Sequence, residues 1–153
     1  MKIIYHCYGG SHSSVMAAAL HLGLIPKDRI PNENELMTIP YYDKTTKTDF
    51  GSIRFMGIDD FKNEVYVLGK KSMGDRYSRL LMGIAAILGH SDDVLVVNCM
   101  NRVNLAMKLG GFSSRRMGVV SLGRPVLVRG SQKAFLELVN LVEITRLRAM
   151  HMV

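Results

Sequence analysis

One cysteine, two histidines, two glycines and three serines fall within nine residues, His6-Cys7-Tyr8-Gly9-Gly10-Ser11-His12-Ser13-Ser14. Each type can serve a bound anion. Glycines let backbone N–H groups converge without obstruction, and serine hydroxyls add short donors. The apolar run VMAAAL that follows reads as a helix, whose first N–H groups and positive end face the same turn. A thiol at that place loses its proton more easily and becomes a nucleophile. The stretch therefore predicts a phosphate cradle built from Gly9, Gly10, Ser11, Ser13 and Ser14. Cys7 is the candidate nucleophile and His12 the candidate acid or base. The simpler alternative is a tight turn, with Ser13 or Ser14 capping the helix and Cys7 filling a strand end.

The elements that must position these residues follow from pattern. Residues 2–8, KIIYHCY, read as a strand, and alternation sends His6 to the face opposite Cys7. Residues 15–22 read as a buried helix stopped by Gly23. Residues 24–63 hold three of the four prolines and many polar residues. They read as an insertion, with a short strand near 36–42 and then a hairpin of strands 53–56 and 64–68. Asp59 and Asp60 are turn residues there rather than cation ligands. After Gly69 the β/α alternation resumes. A helix over 76–88 is capped by Ser72 or Asp75 and stopped by Gly89. The strand 93–98 is apolar on both faces, as a central parallel strand is. A helix over 102–109, a loop carrying Arg115 and Arg116, and short strands at 119–121 and 125–128 come next. A last helix over 132–149 is capped by Ser131 and turns Phe135, Leu138, Val139, Val142 and Leu147 to the core.

This order predicts one α/β domain over residues 1–153. It is a three-layer fold with a mainly parallel sheet, helices on both faces and an inserted β-hairpin region. Ligands of such sheets sit beyond the carboxyl ends of the strands. That edge adds Lys70, Lys71, Asn98 and Arg102 to the anion-binding set, and brings Cys99 to the same edge as Cys7.

Composition narrows the partners. The 153 residues carry a net charge of +7, are 48% hydrophobic and 22% charged, and have no tryptophan. The excess of Lys and Arg favours an anionic partner, a phosphate-bearing small molecule or nucleotide. An aromatic fraction of 7% gives base-stacking on nucleic acid little support. No apolar run is long enough for a membrane span, and a homo-oligomer is left open. Two cysteines without a CxxC pair, behind an N-terminal apolar run too short for secretion, fit a reducing cytoplasm. No particular cofactor is indicated.

Three known loops are similar. His6-Cys7 to Ser14 resembles the HCxxGxx loop of cysteine phosphatases, including the low-molecular-weight tyrosine phosphatases. Their arginine, six residues after the cysteine, is replaced here by Ser13, which removes the bidentate grip on a transferring phosphoryl group. Read as C-x-x-G-x-x-S-S, the loop is similar to the phosphocysteine B domains of the bacterial sugar phosphotransferase system. That resemblance implies a phosphoryl group carried on Cys7 without an arginine. GGSHSS also resembles a Walker-type GGxGKS loop in which His12 replaces a glycine and Ser13 the lysine, so a degenerate nucleotide-binding loop is an alternative. Over the whole chain, KIIYHCYGGSHSSVMAAALHLGL, IPYYDK and FGSIRFMGIDDFKNEVYVLG look like one small uncharacterised family of Gram-positive spore-formers. That resemblance implies a cytosolic bacterial protein and brings no activity. The expected function is binding of a phosphate-bearing ligand at residues 9–14, with phosphoryl transfer through Cys7 if the protein is an enzyme. A non-catalytic adaptor is the rival reading.

Overall fold

The computed structural model describes residues 1–100 and 120–152, and the side chains of all of these except 120–124. Strand β1 (Lys2–Cys7) is buried at every position after Lys2, because it has strands on both edges and helices against both faces. β3 (Glu64–Gly69) and β4 (Val94–Asn98) flank it and run parallel to it, and β2 (Ile53–Ile58) pairs antiparallel with β3. The order is β2-β3-β1-β4. The sheet is therefore mixed, with a parallel centre and the expected hairpin on one side. Register places Cys7 beside Gly69 and His6 beside both Leu68 and Asn98, so the three parallel strands end level.

Helix α1 (Ser13–His21) is buried at every residue. It packs on β1 and β3 and, on its far side, against α5 (Phe135–His151). Three alanines in its middle let the backbone lie close to both. The helix ends at Leu22, followed by Gly23 at φ +68°, the left-handed stop that the sequence predicts. Helix α3 (Gly74–Ile87) contacts the other face of the sheet, where Ser78 Oγ lies 2.8 Å from His6 Nε2.

Several expectations are corrected. The short strand expected near 36–42 is replaced by α2 (Glu33–Thr38). A capping box outweighs the strand-like LMTI there: Glu35 N–H donates to Asn32 Oδ1 at 3.0 Å, and Asn32 N–H to Glu35 Oε2 at 2.8 Å. The strand expected at 125–128 lies inside α4 (Val120–Lys133), which also holds residues 120–121 and Pro125. Burial of Leu127, Val128, Ser131, Ala134, Phe135 and Leu138 recurs every three to four residues, a helical period that the β-branched residues conceal. Ser131 therefore caps nothing; it hydrogen-bonds Tyr42 Oη at 2.7 Å, and Ala134 precedes α5. Leu147 is exposed rather than core. Strand β4 is an edge strand among the described residues, not a central one. Neither Ser72 nor Asp75 caps α3, whose cap position is Met73. Among the described residues, no helix is long and apolar enough to cross a membrane. The helix expected at 102–109, with Arg102, and the loop with Arg115 and Arg116 lie outside the described residues.

Candidate functional site

The level strand ends assemble the site. Past Cys7 the ladder continues: Lys70 N–H donates to Cys7 O at 3.0 Å and Lys71 N–H to Tyr8 O at 2.9 Å. The chain then folds back over its own cysteine. Gly10 N–H donates to Cys7 Sγ at 3.1 Å, and Ser14 Oγ lies 3.2 Å from the same sulfur. The backbone N–H groups of Ser11 and Ser14 and the Ser13 hydroxyl also support it. No serine caps α1; the cap position is His12, which makes no side-chain cap bond, so the open helix end is directed to the thiol. Burial pushes the Cys7 thiol up, yet this set of hydrogen bonds outweighs burial and holds it below the ordinary thiol value. Cys7 itself is buried, only 4% exposed.

A peptide group points its N–H opposite its C=O, so holding the carbonyls outward turns the donors inward. Gly10 O accepts from Thr45 Oγ1 at 3.2 Å and from Arg54 Nη2. That directs the Ser11 N–H toward the sulfur. Ser11 O accepts from Asp43 N–H at 3.1 Å. Gly9 O faces Gly69, where a Cβ would stand 2.7 Å from it. Two successive peptides are thus hydrogen-bonded from outside and a third lies against Gly69, and the loop forms a nest of N–H groups around Cys7. Arg54 stacks 4.6 Å over the Tyr41 ring and donates to Thr45 Oγ1 at 3.0 Å, while its Nε is buried without a partner. Tyr41 and Asp43, at φ 65° and 53°, hold left-handed conformations that cost non-glycine residues free energy.

The predicted site residues divide. Gly9, Gly10, Ser11, Ser13 and Ser14 surround Cys7, whereas Lys70, just past β3, meets Cys7 through its backbone N–H on Cys7 O. Lys70 is 4% exposed, donates to Gly74 O at 3.1 Å, and is lowered from the usual lysine value by burial. His12 binds Asp43 through Nε2 at 3.2 Å and packs edge-on to Tyr42. Lys71 is drawn over the Phe50 ring, 4.7 Å from its centre. Asn98 turns to α3, donating to Asp75 Oδ1 at 2.9 Å. His6 also faces α3; burial first, and Lys70 second, lower it to about 4, so it is neutral. An open recess of about 300 Å³ beside Tyr8 is lined by Lys70, Lys71, Asp75, Asn98 and Met100. Among the described residues, no cluster of His, Cys, Asp or Glu is arranged to hold a metal ion.

Arg54, Thr45 and Asp43 were not legible as site residues. For Arg54 a signal exists. IRFMGI alternates with inverted polarity, leaving Ile53 and Phe55 exposed while Arg54 and Met56 are half-buried. Asp59 is also more than a turn residue. Its carboxylate accepts the Phe61 and Asn63 N–H groups at 2.9 and 2.8 Å and also pairs with His21 Nε2 at 2.9 Å.

An α/β fold with a nest of N–H groups on a buried cysteine defines the class. Residues 2–147 match the family described as a protein of unknown function, DUF3189, and the chain belongs to that family. Neither a curated protein nor a solved structure matches it.

Proposed function

We propose that the protein binds a phosphate-bearing small molecule at residues 7–14 and takes its phosphoryl group onto Cys7. The observation that carries this reading is the aim of the loop. Donors from Gly10, Ser11, Ser13 and Ser14 converge on one sulfur. Donors so placed stabilise a thiolate and the oxygens of a phosphoryl group arriving on it. In the step, the Cys7 sulfur attacks phosphorus and an S–P bond forms. The bond from phosphorus to the leaving oxygen breaks, and that oxygen keeps the electron pair and takes a proton from water. Lys70 supplies the positive charge that Ser13, standing at the arginine position of the phosphatases, does not. His12, its Nε2 committed to Asp43, holds the loop in shape. Without a Walker lysine, a nucleotide is held through the same loop donors or not at all. The buried free thiols suit a reducing bacterial cytosol, and helices covering both faces of the sheet complete the layered fold that presents the loop.

The test uses p-nitrophenyl phosphate and acetyl phosphate as donors. A mass gain of one phosphoryl group on Cys7, absent in Cys7→Ser and weakened in Lys70→Met, is the expected result. No adduct, together with no thermal shift on adding inorganic phosphate or vanadate, sinks the proposal.

A further inference from the structure

Phosphoryl transfer leaves Cys99 without a task, although it occupies a specific place. Its N–H donates to His6 O at 2.9 Å, which carries the parallel β1–β4 ladder one step beyond the His6–Asn98 pair. Cys99 is thereby level with Cys7 on the adjacent strand. Alternation gives both side chains the same face, and both belong to the buried cluster with Tyr5 and Val97. Adjacent strands lie about 4.8 Å apart. That falls within the Cα separation of about 4.4–6.8 Å that a disulfide spans. Both cysteines are free and buried.

We infer that Cys7 and Cys99 are a hydroperoxide-modified pair, Cys7 being oxidised first and Cys99 closing an intramolecular disulfide. In the first step the Cys7 sulfur attacks one peroxide oxygen. An S–O bond forms, the O–O bond breaks, and the departing oxygen leaves as an alcohol, or as water from hydrogen peroxide, carrying the proton given up by the thiol. Cys7 becomes a sulfenic acid. In the second step the Cys99 sulfur attacks the Cys7 sulfur. An S–S bond forms, the S–O bond breaks, and the hydroxide leaves as water with the Cys99 proton. Two thiols are oxidised by two electrons and one hydroperoxide is reduced.

The electrostatics order these steps. Cys7 is the lowered thiol. Cys99 is held well up, by burial first and by the negative charge of Cys7 second. Oxidation of Cys7 removes that charge, the second of the two effects that hold the Cys99 proton, while burial remains. Only the consequence for phosphoryl transfer, loss of the nucleophile, rests on the proposed function.

The experiment treats the folded wild-type protein with hydrogen peroxide, then denatures it and titrates free thiols, with peptide mapping and a non-reducing gel. Both thiols should disappear together, the chain should remain monomeric by gel, a Cys7–Cys99 peptide should appear, and dithiothreitol should restore both. Cys99→Ala should stop at a sulfenic acid on Cys7, trapped by a cyclic 1,3-diketone. Cys7→Ser should leave Cys99 unmodified at the same peroxide dose. Over-oxidation of Cys7 with Cys99 still free, a disulfide between chains, or two inert thiols in the folded protein would each overturn the inference. A disulfide that forms where no phosphoryl adduct does sinks the phosphoryl proposal alone, and an adduct without the disulfide sinks this one alone.

Discussion

At Cys7, two opposing effects meet on one atom: burial that resists ionisation and a ring of donors that favours it. Ser14 is the donor most open to a test, because its hydroxyl is 3.2 Å from the sulfur and its removal leaves the backbone in place. A hydrogen bond to a charged group contributes about 1.5–3 kcal/mol, and one pKa unit is about 1.4 kcal/mol. Ser14→Ala should therefore move the inflection of Cys7 alkylation upward by about one to two units. Stopped-flow alkylation across pH measures it, with Cys7→Ser reporting the background from Cys99. An unmoved inflection would mean that the backbone donors alone set the thiol. The spacing from Cys7 to Ser14 is legible in the sequence because strand, turn and helix there are contiguous. Arg54 is not, because its partners Thr45 and Gly10 come from segments brought together only by the fold.

At the level of elements, the loop is held by its neighbours rather than by its own residues. The segment at 41–45 and β2 grip the Gly10 and Ser11 carbonyls from outside. Arg54→Met keeps the stem that packs on Tyr41 but drops the donor to Gly10 O. Leaving that acceptor with Thr45 alone should cost about 1–3 kcal/mol in urea denaturation. It should also raise the Cys7 inflection, since the Ser11 N–H is no longer fixed inward. A loss of stability without any change at Cys7 would make Arg54 a structural residue only. Asn32→Ala should cost about 1 kcal/mol through the α2 cap and leave the thiol unchanged. α2 and α4 show why some elements are hidden. In α2 a six-residue helix is decided by one reciprocal cap that outweighs apolar alternation. In α4 a proline and two glycines mark a break, whereas tertiary burial of Leu127, Val128 and Ser131 favours the helix. The hairpin and α1 were legible because propensity, turn chemistry and burial agree there.

For the whole molecule, the buried His6 ties stability to pH. Its folded-state value of about 4 lies below the ordinary 6.5, so the unfolded chain binds the extra proton between these two limits. Stability is present in full above about pH 6.5 and is lost progressively as pH falls toward 4. The shift amounts to about 3 kcal/mol at the low end. Urea midpoints measured from pH 7 to 4 should fall in that window, and His6→Gln should flatten the fall. An unchanged slope in His6→Gln would assign the acid sensitivity to other groups. The α/β class and the gathering of Cys7, Lys70 and Cys99 at one edge follow from the alternation of strand and helix in the sequence; the strand order, which makes Cys7 and Cys99 neighbours, is set only by the fold. The placement of β4 at an edge is not legible in the sequence either, because a two-sided apolar run reads the same in the middle of a sheet. One close contact also bears on mutational tolerance. A Cβ on Gly10, at φ +62°, would stand 2.5 Å from Gly69 N, and one on Gly69 would stand 2.7 Å from Gly9 O. In a randomised library selected for folding alone, both positions should return as glycine. Intolerance there would record two backbones pressed together, and the residues that discriminate a ligand should instead surface among Ser11, Ser13 and Lys70 once binding is selected.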